Sequence, residues 1–275
     1  MHSFDARLAV SESKRIGRIR TAELVLFYQP QMSADGTTVV CVEALIRHNH
    51  RSRGVLGPSE FLPKFGTLEL DNLDWWVLDQ ACRDALRWPS ISVSVNVSPL
   101  QLRNADFAGR VLALMDAIGV PPQRIELEIV ETAFIENFDM ATANIHALRK
   151  RGVKIALDDF GTGFSSLSYL LRMPIDKIKI DRCFVDKVDL VQSAAIVHAI
   201  IAMARALGLK VTAEGVETEL QHRVLRAAGC HYMQGFLFSA ALSVDGISRM
   251  LAQHVGATAA QVPQAVSMMP QNKKI

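Results

Sequence analysis

Asp158 and Asp159 stand side by side at the end of an apolar run, Lys154-Ile155-Ala156-Leu157, and lead into Phe160-Gly161-Thr162-Gly163. A buried strand that ends on unpaired carboxylates carries a desolvation cost of several kcal/mol for each of them. The two acids therefore either cap a turn in water or sit on a cation. The rest of the sequence favours the cation.

Unusual polar residues recur at strand ends along the chain. Glu43 lies inside the apolar run 39–46, Asn96 closes 91–95, and Glu128 closes 125–127. Lys179 sits between Ile178 and Ile180, Glu214 follows Val211-Thr212-Ala213, and Gln234 follows Tyr232-Met233. One such residue is ordinary as a helix N-cap, but so many strands ending this way point to one shared site. Carboxylates with an amide carbonyl form an all-oxygen set that suits Mg²⁺ or Mn²⁺ better than Zn²⁺ or Cu²⁺. Adjacent acids can serve two metals roughly 3.5–4 Å apart, as in phosphoryl transfer and hydrolysis. Lys179 near an attacking water and Arg47 on a phosphate oxygen would complete such a site. His48 and His50 read better as rim imidazoles than as ligands.

The elements that must position these residues alternate in type. Strands are expected at 23–28, 39–46, 91–96, 124–128, 154–157, 177–180, 210–213 and 231–233. Amphipathic helices are expected at 72–88, 107–118, 138–151, 191–207 and 217–228, with Gly119, Gly152, Gly208 and Gly229 at C-cap positions. This alternation means βαβ units and a mainly parallel sheet. The expected fold is α/β, a modified TIM (β/α)8 barrel, whose strand C-termini converge on one mouth. Only the short turn Ser33-Ala34-Asp35-Gly36 separates the first two strands, which leaves room for an antiparallel first strand.

At 275 residues and 49% apolar content, one barrel accounts for the chain, with residues 21–255 as the barrel. Residues 1–20 are expected to be a leader helix or arm, and 256–275 a loose tail. A net charge of +2 gives no reason to expect polymeric nucleic acid. The four cysteines are scattered without metal spacing, and the longest apolar run, 194–207, is too short to span a bilayer. Without a signal peptide the expectation is a cytoplasmic protein that does not enter membranes. Asp159-Phe160-Gly161 spells a kinase triplet, but no G-x-G-x-x-G loop or H-R-D motif accompanies it. Gly161-Thr162-Gly163 lacks the rest of a P-loop.

The ordered motifs resemble the EAL family of bacterial cyclic-di-GMP phosphodiesterases from about Leu24 to Leu251. They run Tyr28-Gln29-Pro30, Glu43-Ala44-Leu45 with Arg47, Asn96-Val97-Ser98, Leu127-Glu128-Ile129-Val130-Glu131, the block from Asp158 to Leu167, Lys179-Ile180-Asp181, Ala213-Glu214-Gly215-Val216-Glu217 and Gln234-Gly235-Phe236. The resemblance implies hydrolysis of cyclic-di-GMP to linear 5'-pGpG with Mg²⁺ or Mn²⁺ in a two-metal site.

Carried over residue by residue, Glu43, Asn96, Glu128 and Asp158 would hold one metal. Asp158, Asp159 and Glu214 would hold or border the second. Glu214, Lys179 and Asp159 would be the catalytic groups, with Glu214 either general base or metal ligand. Gln29, Leu45, Arg47 and Gln234 would face the substrate, while Glu131 and Glu217 would stand behind the ligands.

The resemblance also implies a homodimer, and control is expected through dimerisation, a regulatory protein partner or expression. Val130, Gly66 and Ala240-Ala241 depart from the family pattern at loop and rim positions, and none replaces an implied metal ligand. The competing reading is a receptor or interaction module that binds cyclic-di-GMP without cleaving it.

Overall fold

The computed structural model describes residues 15–131, 133, 137–161 and 170–259. Eight strands close a barrel: β1 (Leu24–Ser33), β2 (Val39–His50), β3 (Ser92–Val97), β4 (Ile125–Val130), β5 (Lys154–Phe160), β6 (Lys177–Ile180), β7 (Lys210–Ala213) and β8 (Tyr232–Gln234). Strands β2 to β8 are parallel, and β1 closes the ring antiparallel to both β8 and β2.

The turn after β1 causes that reversal. The five residues between Ser33 and Val39 cannot hold a crossover helix, so the chain folds straight back as a hairpin. Gly36 donates to the Ser33 carbonyl and Asp35 Oδ1 accepts from Ser33, Thr37 and the Thr37 backbone. The Ser33 hydroxyl first, and then Thr37, lower the Asp35 carboxyl to about 2.

Around the barrel lie α1 (Thr67–Ala85), α2 (Phe107–Ile118), α3 (Phe138–Lys150), α4 (Val191–Ala206), α5 (Glu219–Ala228) and α6 (Val244–Ala259). Helix α1 starts five residues before its sequence-based bound, because the Glu69 carboxylate accepts from Gly66 N at 2.7 Å and caps its first turn. Arg124 stitches the end of α1 to the barrel by donating to the carbonyls of Ala85, Trp88, Pro89 and Ile91.

The leader, expected as a helix or an arm, forms a hairpin over its described part, Arg15–Ile16 against Ile19–Arg20. Gly17 turns the chain at φ 57, and Ile16 and Ile19 both bury their side chains. Residues 1–14 of the leader, Thr162 to Leu167 of the acidic block and the tail after Ala259 lie outside the described residues. No helix among the described residues is long and apolar enough to cross a membrane.

Strand β2 outruns its expected end at Ile46 and reaches His50, pairing there with Gly54–Leu56. Its upper half, with β1, stands above the barrel mouth as a wall. Register sets Val25 beside Arg47, Phe27 beside Leu45 and Gln29 beside Glu43.

Candidate active site

The adjacent acids that open the sequence argument lie at a β-bulge. Leu157 and Phe160 of β5 pair with Ile178 and Ile180 of β6, so one extra residue is inserted between them. In a regular strand, neighbouring side chains leave on opposite faces. The bulge and the left-handed φ of 53 at Asp159 bring both carboxylates to the mouth. Oxygens of Asp158, Asp159 and Glu214 all lie within 4.8 Å of one another.

Lys179 lies among these acids with its side chain 1% exposed. Its Nζ is 2.6 Å from Glu128 Oε2, 2.5 Å from Glu214 Oε1, 3.1 Å from Asp158 Oδ1 and 3.9 Å from Glu43 Oε2. Gln234 Nε2 donates to Glu43 Oε2 at 2.6 Å and to Gln29 Oε1 at 3.2 Å. Asn96 Nδ2 donates to the other Glu43 oxygen at 2.9 Å. One connected cluster thus gathers Gln29, Glu43, Asn96, Glu128, Asp158, Lys179, Glu214 and Gln234, with Asp159 beside it.

The charges in this cluster are out of balance. Glu43, Glu128, Asp158, Asp159 and Glu214 face one ammonium, a formal charge of −4 that two divalent ions would neutralise. Burial among so many like charges disfavours the ionised form of several of these acids. Burial, then the Glu43 charge, raises Glu128 well above the carboxylate range. Burial first, against the pull of Lys179, lifts Glu214 to about 7. Burial and the neighbouring Asp158 raise Asp159.

Burial alone would raise Glu43, but Lys179 and the Gln234 and Asn96 amides hold it low. Lys179 rises well above its usual value because the four carboxylates outweigh its burial. The Gln234 side-chain oxygen Oε1 is buried in the mouth without a hydrogen-bond partner among the described residues, a further acceptor facing the site. Hard oxygen donors, excess negative charge and an orphaned carbonyl fit a pair of divalent cations.

The loops above the strands are fixed by close backbone contact. A Cβ on Gly235 would come within 2.1 Å of the Val216 carbonyl oxygen. Val216 N in turn donates to the Gln234 carbonyl at 3.0 Å. The segment after β7, which carries Glu214, is therefore clamped to the segment carrying Gln234. Glu131 Oε1 accepts from Gly161 N at 3.2 Å and ties the turn after the acid pair to the end of β4.

Arg47 is half-buried on the mouth wall, and Leu45 lies one pleat nearer Glu43. Burial lowers the Arg47 guanidinium, which donates to the Ile46 carbonyl at 2.8 Å. Glu217 does not reach the cluster: it pairs with Arg182 at 2.9 Å. His48 turns to the outer side, where its ring meets Phe61 and His50.

A second polar layer lies below, and the motifs did not single it out. Gln31, Ser94, Glu126 and Lys177 are all buried in the barrel interior. Lys177 Nζ lies 2.7 Å from Glu126 Oε1 and 3.2 Å from Gln31 Oε1, and stands 5.0 Å from the Tyr232 ring centre. Each member lies two residues along a strand from a cluster member: Gln31 from Gln29, Ser94 from Asn96, Glu126 from Glu128, Lys177 from Lys179. This period of two is the signal that could have found them.

Comparison with known proteins agrees with this geometry. Residues 13–241 match the family described as EAL domain. The chain is 39% identical over 243 residues to the cyclic di-GMP phosphodiesterase NbdA of Pseudomonas aeruginosa, covering 85% of this chain and 31% of that protein. It resembles the solved structure described as PaMucR phosphodiesterase in complex with c-di-GMP, with a TM-score of 0.77 and 37% identity, covering 82% of this chain and 95% of that one. Klebsiella pneumoniae BlrP1, solved with manganese and cy-diGMP, matches with a TM-score of 0.72 and 30% identity over 81% of this chain and 57% of that one. The chain spans 28–34% of the length of the curated relatives it matches. With the matched span covering most of its length and the barrel and acid cluster both in place, the chain belongs to the EAL domain family.

Proposed function

We propose that residues 21–255 form a metal-dependent phosphodiesterase that hydrolyses one bond of cyclic-di-GMP to give linear 5'-pGpG. The observation that carries this reading is the convergence of five carboxylates, two of them on one bulge, around a single buried lysine. The relatives named for cyclic di-GMP phosphodiesterase activity and the neighbours solved with that dinucleotide support the substrate. The neighbour solved with manganese supports a divalent ion, Mg²⁺ or Mn²⁺.

Glu43, Asn96, Glu128 and Asp158 would hold one ion; Asp158, Asp159 and Glu214 would hold the other. When bound, the pair supplies positive charge to the phosphate oxygens and acidity to water. Glu214 would either complete the hold on the second ion or take a proton from the attacking water. Lys179 directs charge toward the same point, and Asp159 borders it.

Arg47 on the wall would pair with a phosphate oxygen, and Gln29, Leu45 and Gln234 would line the dinucleotide's path. Glu131 holds the turn that follows the acid pair, while Glu217, paired with Arg182, acts at most through that outer contact. The reading includes a cytoplasmic setting and a homodimer open to a regulatory protein, with Val130 at a loop that the family links to dimer contacts. Incubation with cyclic-di-GMP and Mn²⁺, followed by chromatography for 5'-pGpG, tests the activity. Binding without product would identify a non-hydrolysing receptor.

A further inference from the structure

Directly beneath the carboxylate cluster, Gln31 is fully buried and fully bonded. Its Nε2 donates to Glu128 Oε1 at 3.3 Å and to Ser94 Oγ at 3.4 Å, using both amide hydrogens. Its Oε1 accepts from Lys177 at 3.2 Å, and Lys177 also pairs with Glu126 at 2.7 Å.

The orientation of the Gln31 amide follows from these partners. An ammonium only donates, so the amide oxygen must face Lys177. The NH₂ group must then face Glu128. A flipped amide would set hydrogens against the ammonium and a carbonyl against the carboxylate. Water does not reach the Gln31 amide to relieve such a mismatch, since Gln31 and Ser94 are 0% exposed and Lys177 and Glu126 only 6% exposed.

We propose that Gln31, oriented by Lys177 and Glu126, is a positioning residue for Glu128. It occupies Oε1 from below and leaves Oε2 as the oxygen beside Lys179. A monodentate carboxylate needs its second oxygen restrained to present a fixed lone pair to a cation. Gln31 supplies that restraint from β1, the strand whose antiparallel course sets it across the barrel from β4. This role rests on the metal-dependent reading of the site above.

The test is Mn²⁺ binding by titration calorimetry on the whole chain without substrate, beside an assay of cyclic-di-GMP hydrolysis. Gln31→Met keeps the length of the side chain, leaves Lys177 its bond to Glu126, and removes the donor to Glu128. Its expected effect is a loss of about tenfold in Mn²⁺ affinity, the lower end for partners that orient metal ligands. The concentration of substrate at half saturation should not change. Thr212→Val, a same-sized change at a buried hydroxyl without a partner among the described residues, should stay within about twofold of wild type on the same scale.

Equal affinities for wild type and Gln31→Met overturn the positioning role while leaving the enzyme reading intact, provided the wild type binds Mn²⁺ and turns over. A Thr212→Val loss as large as that of Gln31→Met overturns it too, since packing alone would then explain both. A wild type that neither binds Mn²⁺ nor cleaves cyclic-di-GMP brings down both readings. Should Gln31→Met fail to fold, the paired change Lys177→Met with Glu126→Gln frees the amide without removing it. An affinity loss of less than about tenfold is then expected, since the amide stays in place, and no loss overturns the proposal.

Discussion

Lys179 and Glu128 meet at 2.6 Å on the floor of the barrel mouth, with both side chains at most 1% exposed. Neither could be buried alone, and the pair holds Asp158, Glu214 and Glu43 around the same ammonium. The relationship explains why the cluster tolerates its acids and why it still lacks positive charge.

Removing that ammonium should expose the imbalance. Lys179→Met, treated with EDTA, should lose about 3 kcal/mol of stability against wild type in urea unfolding, because several buried acids lose their partner. Mn²⁺ should narrow the gap. Equal unfolding midpoints for both proteins in EDTA would argue against the charge account.

Asp158→Asn and Glu214→Gln should each lower turnover by at least about a hundredfold, in the range expected when a group that acts on the transition state is lost. Circular dichroism and melting temperature should stay near wild type, since each change removes a like charge from a crowded site. Near-normal turnover by either variant would contradict the ligand assignment.

Glu214 should also leave a mark on stability against pH. Its folded value of about 7 lies above the ordinary value of 4.5, so the native state holds the proton longer than the unfolded chain. Stability from this group is present below pH 4.5 and falls as pH rises through 7, by on the order of 1–3 kcal/mol. Denaturant titrations of EDTA-treated protein from pH 4.5 to 8 should show a shallower decline for Glu214→Gln than for wild type. Parallel curves would remove Glu214 as the source.

Gly235→Ala places a methyl group against the Val216 backbone, with no flexible side chain to move aside. The expected cost is about 1–3 kcal/mol. Turnover should drop at least tenfold, because Gln234 and the Glu214 segment are clamped at this point. A variant with wild-type stability and rate would show that the clamp is slack.

Most of the barrel could be read from the sequence because its signals are local. Apolar runs of four to six residues alternate with helical periodicity, and the tight turn at Ser33–Gly36 forecasts the reversed first strand. The site residues could be read because polar side chains at strand ends are anomalous. Three features could not be read in the same way. The bulge that turns Asp158 and Asp159 to one side depends on the register between β5 and β6, which no local window contains.

The hairpin at Arg15–Arg20 was masked by its cations, while its fold follows from Ile16, Gly17 and Ile19. The layer of Gln31, Ser94, Glu126 and Lys177 sits inside strands whose upper residues drew the attention. Glu126 looks like a surface acid until Lys177, on a strand two positions round the barrel, is brought to 2.7 Å.

The measurement that bears most directly on the central claim is hydrolysis of cyclic-di-GMP under metal titration, for wild type and Glu43→Ala. The account predicts 5'-pGpG that rises with Mn²⁺ or Mg²⁺, vanishes in EDTA and is lost in Glu43→Ala. Tight binding of the dinucleotide with no product at any metal concentration, and no response to Glu43→Ala, would contradict it.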